Sequence, residues 1–164
     1  MGDYIRSVQY YETDRMGIVH HSNYIRWFEE ARIYYMKEWG YDYKEVEEKG
    51  VMIPVIGVSA VYKTGAKYGD TVRIKVKIDK ITPVKLSFYY EISDSETDEL
   101  RMTGTSDHCF VNEKFKPCSI KKKMPDFYEK FSQIAAFEPE NIRNAEGICK
   151  AVAVKGKDGE YEPI

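Results

Sequence analysis

Apolar positions recur at every second residue over two long stretches of this chain, and at helical spacing over one. In TVRIKVKID, Val72, Ile74, Val76 and Ile78 fall on one side and Arg73, Lys75 and Lys77 on the other. That is the alternation of a strand with one face against a core. VKLSFYYEI (84–92) repeats it with Val84, Leu86, Phe88, Tyr90 and Ile92 inward, and ELRMTGTSDHCFV (99–111) is a third long strand. The linkers KITP and SDSETD are short and rich in turn formers, which predicts an antiparallel meander. Residues 51–62, VMIPVIGVSAVY, read as a largely buried strand, and YIRSVQYY (4–11) as a strand at the start.

The helical stretch runs from about Tyr24 to Trp39 and stops at Gly40, a suitable residue just past a helix end. Ser22 or Asn23 is the expected N-cap, since either side-chain oxygen can accept a free backbone N–H. Tyr24, Phe28, Ala31 and Tyr35 mark one face, while Ile25, Trp27, Ile33, Met36 and Trp39 spread apolar surface around the rest. A helix so apolar is wrapped by other structure. DYKEVEEKG predicts a short second helix, with Asp42 and Glu45 as a capping box and Gly50 at its end. Pro125 at a first helical position opens a third, carrying Phe127, Phe131 and Ile134. KAVAVKGKDGEYEPI reads as a strand, a Gly-rich turn and a short strand. The expected class is α+β, one layer of sheet on one central helix.

Composition narrows the function classes. The 164 residues are 43% hydrophobic and 32% charged, enough for one domain that builds its own core. A net charge of −2 argues against nucleic acid as a partner. No apolar run approaches the ~18 residues of a membrane span, and MGDYIRS lacks the apolar core of a secretory signal. Cys109, Cys118 and Cys149 have no metal-type spacing, and their odd number favours reduced thiols and a cytoplasmic location.

The chemistry concentrates in YYETDRMGIVHHSNY, Tyr10 to Tyr24. Two of the three histidines, His20 and His21, stand here directly before the helix, seven residues or fewer after Asp14. Taken singly these residues are ordinary: loop aspartates hold turns, and loop histidines face solvent or cap helices. Two adjacent histidines with no third ligand at suitable spacing do not make a metal site. Glu29 and Glu30 lie on the helix, where structural pairing, for instance Glu29 with Arg32, is the expected role.

In register, however, YYETDRMGIVHHSNYIRWFEEAR resembles the signature of the hotdog-fold acyl-CoA thioesterases, in the 4-hydroxybenzoyl-CoA thioesterase branch. In that family a strand ends in T-D-x-x-G-x-V-x-H/N-x-x-Y and enters the central helix. Thr13, Asp14, Gly17, Val19, His21 and Tyr24 fill those places. YGDTVRI (68–74) looks like the family's G-D turn, although Gly65 stands where many members have proline. The resemblance covers roughly residues 4–131 and divides the chain into a hotdog thioesterase domain, 1–137, and a C-terminal extension, 138–164.

The resemblance implies a curved antiparallel sheet wrapped around one long central helix, and hydrolysis of acyl-CoA to free acid and CoA. Asp14 and His21 are the expected catalytic positions. Tyr10, Thr13, Gly17, Val19, His20, Tyr24 and Lys63 are expected to line the substrate site. Asp14 would act as nucleophile or general base. The helix start, carrying about +0.5 charge and unpaired N–H groups, would polarise the thioester carbonyl through a backbone N–H at or near His21. The His21 imidazole would bond substrate or orient Asp14, His20 would line the entrance, and Tyr10 would hold the carboxylate or line the acyl pocket. CoA would enter as part of the substrate, with no metal or other cofactor. The family forms homodimers with sites at the interface, often paired into homotetramers. The rival readings are an acyl carrier protein thioesterase and a hotdog protein that binds acyl-CoA without cutting it.

Overall fold

Eleven elements follow one another in the computed structural model, which describes residues 2–137, 153–155 and 161–163. They are β1 (Tyr4–Ser7), α1 (His21–Glu38), α2 (Tyr43–Glu48), β2 (Val55–Tyr62), β3 (Thr71–Ile81), β4 (Lys85–Asp94), β5 (Leu100–Cys109), α3 (Ile120–Lys123), α4 (Pro125–Phe137), β6 (Ala153–Lys155) and β7 (Tyr161–Pro163). The first five strands form one antiparallel sheet in the order β1-β3-β4-β5-β2. β3, β4 and β5 are the expected meander. β2 crosses to the far edge beside β5, and β1 adds to β3. The two short tail strands pair antiparallel with each other, Ala153 opposite Pro163, while the Gly-rich turn expected between them lies outside the described residues.

The strand alternation lands on the core almost without exception. Val72, Ile74, Val76 and Ile78 of β3, and Leu86, Phe88, Tyr90 and Ile92 of β4, are buried against α1. Val84 is the exception: it precedes β4 in the turn and is exposed. The buried helix face is the expected one. Phe28 stacks on Tyr90 with ring centroids 4.0 Å apart, and Trp39 meets Phe131 of α4 edge-on. Such pairs add to the area term of burial. α1 approaches β5 so closely that a Cβ on Gly104 would sit 2.5 Å from both the Phe28 ring and the Ser59 carbonyl oxygen. Ile33 departs from the expected wrap and faces solvent.

Three expected boundaries move. The first strand ends at Ser7, because residues Tyr10–Glu12 coil into a 3₁₀ turn whose Gln9 N–H is held by the Glu12 carboxylate at 2.8 Å. The central helix begins at His21 with His20 as its N-cap, and neither Ser22 nor Asn23 serves. His20 N is tied to Glu12 O at 2.9 Å and His20 O accepts from Asn23 N, so the chain turns immediately after His20. The segment 51–62 is not a buried strand. Val51 and Ile53 are buried before Pro54, but β2 itself is an edge with Val55, Ile56, Val58 and Tyr62 exposed. Its outer edge pairs with no strand among the described residues. Asp42 caps α2 as expected, accepting from Lys44 N at 2.9 Å, but Glu45 does not complete a capping box among the described residues; Gly40 takes φ +89° behind α1.

β5 also carries a buried polar chain. Tyr90 OH, Ser106 Oγ and His108 Nε2 are linked at 2.8 Å each, and His108 Nδ1 faces Ile53 O at 3.3 Å. The Arg32 guanidinium, turned inward from α1, approaches Nε2 at 3.5 Å. Glu29, its expected partner, makes no ion pair among the described residues, and Glu30 instead holds Arg6 at 2.8 Å. Burial first, and the Arg32 charge second, push the His108 pKa down to about 4. A histidine depressed in the folded state takes up protons on unfolding. Its contribution is therefore complete above pH ~6.5 and is lost as pH falls toward about 4. Between pH 7 and pH 5 this group alone is expected to cost about 2 kcal/mol of stability. Urea titrations of wild type and His108→Gln at both pH values check it: the variant loses that part of the pH dependence, whereas parallel curves contradict the assignment.

Candidate active site

Residues 12–20 form a miniature antiparallel hairpin in front of α1. Thr13 bridges Val19, Asp14 N donates to Ile18 O at 2.9 Å, and His20 N donates to Glu12 O. Asp14 turns the chain: its Oδ1 accepts from Met16 N at 2.8 Å, its carbonyl accepts from Gly17 N, and Gly17 takes φ +75°. The ordinary role of a loop aspartate is thus filled by one carboxylate oxygen. Oδ2 accepts no hydrogen bond from a described residue, and the side chain is half-buried.

Behind the hairpin stands a wall built from 62–70. Val19 N donates to Ala66 O at 2.8 Å and Ala66 N donates to Tyr24 OH at 3.1 Å, so Val19 and Tyr24, both buried, clamp this segment. Burial raises the Tyr24 pKa, although the Ala66 N–H works against it. Arg101 braces the wall from β5. It holds Asp94 at 2.9 Å and Glu99 at 3.1 Å, and donates to Gly65 O at 3.4 Å. Arg101 and the Thr97 and Glu96 N–H groups keep the Asp94 carboxyl far below the usual range. Gly65 fits because a Cβ there would meet Ile18 Cγ2 at 2.9 Å. The G-D turn is formed as expected, with Gly69 at φ +89° and Asp70 Oδ2 accepting from Lys67 N.

The helix start faces this wall. Tyr62 OH donates to His21 O at 3.0 Å, and its ring packs edge-on against both His21 and Tyr24. In the first turn, Ser22 N approaches His20 Nδ1 at 3.4 Å and Asn23 N bonds His20 O. His21 N donates to no acceptor among the described residues. It is the unpaired N–H at the positive end of an 18-residue helix.

The structure gathers Val19, His20, His21, Tyr24 and the backbone of Lys63 around the helix start, with Thr13, Asp14 and Gly17 on the hairpin. It does not unite them all. Tyr10 points outward, 76% exposed, against the Tyr68 ring at 5.5 Å, and has no bond to Asp14. The His21 imidazole stacks on His20 at 4.1 Å and has no bond to Asp14 either. His20 caps the helix through its side chain and does not merely line an entrance. The Lys63 side chain is exposed, while its N–H is held by Arg101 O at 2.9 Å. Among the described residues no cluster of three or more His, Cys, Asp or Glu is arranged to hold a metal ion. The hairpin register also separates the two ends of the expected chemistry. Asp14, opposite Ile18, sits at the turn end of the hairpin, whereas His20, opposite Glu12, sits at the end where α1 begins.

Glu12, Asn23 and Tyr62 are the positions that sequence reasoning passed over. Glu12 is buried and accepts from Arg6 at 2.7 Å, Trp27 Nε1 at 2.8 Å and Gln9 N at 2.8 Å. Its visible signal was an acid between a tyrosine pair and the T-D step, with Arg6 six residues earlier. Reading 4–11 as one strand hid the turn that brings them together.

A sheet curled on one long helix, with a T-D-x-x-G hairpin at the helix start, defines the hotdog class. Residues 8–139 match the model of the thioesterase-like superfamily, and the chain belongs to that family. It is 36% identical over 127 residues to a Bacillus subtilis (strain 168) protein carrying the provisional name acyl-CoA thioesterase YneP, covering 77% of this chain and 91% of that one. It is 24% identical over 117 residues to the acyl-CoA thioester hydrolase YbgC of Escherichia coli O157:H7, covering 71% and 87%. The crystal structure of a DHNA-CoA thioesterase from Staphylococcus aureus superposes with a TM-score of 0.78 at 32% identity, over 88% of this chain and 93% of that one.

Gly17→Ala is expected to strain the hairpin without a clash, since no atom lies within 4 Å of the added Cβ. The cost is about 1 kcal/mol, from forcing a side chain into the left-handed region. Thermal unfolding of the variant checks this; an unchanged midpoint contradicts the turn geometry.

Proposed function

We propose that this protein hydrolyses acyl-CoA to a free carboxylic acid and CoA, as a member of the 4-hydroxybenzoyl-CoA thioesterase branch. The observation that carries the proposal is the pairing of two unfilled groups: Asp14 Oδ2, and the His21 N–H at the tip of α1. Thioester hydrolysis needs an attacking oxygen, a stabilised carbonyl oxygen and a leaving thiolate. The thiolate leaves readily, so one carboxylate suffices. Either Asp14 attacks the carbonyl carbon, CoA leaves as thiolate and water then hydrolyses the acyl-Asp14 anhydride, or Asp14 removes a proton from a water that attacks the carbonyl directly as the C–S bond breaks; in both, negative charge develops on the carbonyl oxygen against the His21 N–H. Family membership and the names YneP and YbgC carry support this reading.

Asp14 at the turn end of the hairpin and His21 past its other end favour sites shared by two chains, the hairpin of one facing the helix start of the other. The unpartnered apolar edge of β2 is a surface on which two sheets join. On this reading the protein is a homodimer that pairs into a homotetramer. Tyr62, on the same edge strand, lies between the joint and the helix start. Lys63 meets the CoA phosphates, Thr13, Gly17 and Val19 line the approach of the thioester, and no bound cofactor takes part. The thioesterase domain is 1–137 and 138–164 an extension. Cys109 and Cys118, both free thiols, fit a cytoplasmic setting.

Two substitutions test the roles. Asp14→Asn is expected to fold as wild type and to lose turnover by orders of magnitude on a panel of aliphatic and aromatic acyl-CoAs, followed by thiol release; near-wild-type turnover refutes the assignment. His21→Pro removes the N–H itself. Proline is tolerated at a first helical position, and His20, at φ −62° and ψ 134°, already has the backbone that a residue before proline requires. Turnover is expected to drop by ~10²–10³-fold in His21→Pro. His21→Ala, which keeps the N–H, is expected to retain most of it. Equal losses in both would shift the role to the imidazole.

A further inference from the structure

The buried Glu12 contacts reach all three parts that a shared thioester site must hold in place. We propose that Glu12 and Asn23 are positioning residues, a clasp that fixes the Asp14 hairpin against the first turn of α1. This inference rests on the thioesterase reading of the same site. The side chain of Glu12 is anchored from below: Oε1 receives Arg6 of β1 and Trp27 Nε1 of α1, and Oε2 receives Gln9 N. Arg6 is fixed in turn by Glu30 at 2.8 Å and lies over the Trp27 ring at 4.7 Å. The carbonyl of Glu12 is engaged from the other side. It accepts from His20 N at 2.9 Å and from Asn23 Nδ2 at 2.8 Å.

One residue therefore ties the strand, the helix body, the N-cap and the first helical turn. It stands two positions before Asp14 and directly across the hairpin from His20. Asn23 is spent entirely on this strut: it lies in the first turn, is buried, and its amide reaches back to Glu12 O without capping the helix. Neither side chain bonds Asp14 or the His21 N–H, and both are held by the contacts above, so their part is to position and not to react. Their effect is on where those two groups sit. A displacement of the order of 1 Å in such a pair can cost ~10²-fold in rate.

The test compares Glu12→Gln and Asn23→Ala with Ser106→Ala, which breaks the buried chain on β5 away from the hairpin. All are measured well below their thermal midpoints. The clasp predicts that kcat falls by ~10²-fold in Glu12→Gln and by at least ~10-fold in Asn23→Ala, with KM changed less than ~3-fold. Ser106→Ala retains wild-type kcat whatever its midpoint. The His20 amide is expected to exchange with solvent at least ~10-fold faster in Asn23→Ala, while core amides of β3 and β4 do not change. If both clasp variants lose no more kcat than Ser106→Ala, Glu12 and Asn23 serve stability alone and the proposal is overturned. If wild type itself turns over no acyl-CoA, the thioesterase reading falls, and the His20 exchange rate still decides the clasp: unchanged exchange overturns it.

Discussion

A buried carboxylate inside a family of aromatic side chains sets the geometry of this fold's working end. Glu12 is desolvated among Trp27, Arg6 and the hairpin backbone, and a charge in that position is tolerable only when paired and fully hydrogen-bonded. Meeting that condition compels β1 to end at Ser7, the chain to coil at Tyr10–Glu12, and α1 to begin at His21. The hairpin register, the N-cap and the free N–H all follow from where this one acid must sit.

The rest of the molecule supplies a rigid seat for that arrangement. α1 is gripped by the concave face of the sheet, with Phe28 on Tyr90 and Trp39 between Phe88 and Phe131. The helix cannot slide along its axis without breaking those stacks, so its positive tip is fixed relative to the sheet. Arg101 performs the same service for the opposite wall, binding the 63–70 segment to the β4–β5 hairpin through Asp94. The edge strand β2 then borders the site. Its outer side is apolar and unpaired, and its last residue, Tyr62, holds the carbonyl of the first helical residue.

Much of this was legible in the residues. The two-residue period of β3 and β4, the apolar helix and its Gly40 stop are local patterns, and local patterns survive folding. The T-D-x-x-G-x-V spacing marks the segment before the helix as the chemical one, though not its hairpin pairing. What failed to show was long-range. VMIPVIGVSAVY is apolar either way, and only topology decides that its second half forms an edge strand with exposed apolar side chains. Asn23 looks like a cap, and only the position of Glu12 O turns its amide backward. The His108 network is invisible in the sequence because its partners, Ser106, Arg32 and Ile53 O, come from three different segments. Tyr10 stands four residues before Asp14 in the sequence, but it lies in the 3₁₀ turn with its ring exposed.

The central claim is that a carboxylate from one chain and a helix tip from another act on the same carbonyl. Mixed oligomers of Asp14→Asn and His21→Pro chains test it most directly. Each parent is inactive, but a dimer holding one of each contains one site with both intact groups if sites are shared. Co-refolded or co-expressed chains should then recover roughly a quarter of wild-type turnover under random pairing, with the two parents remaining inactive when kept apart. Mixed dimers as inactive as their parents, with their formation verified by mass, would place both groups in a single chain and contradict the account.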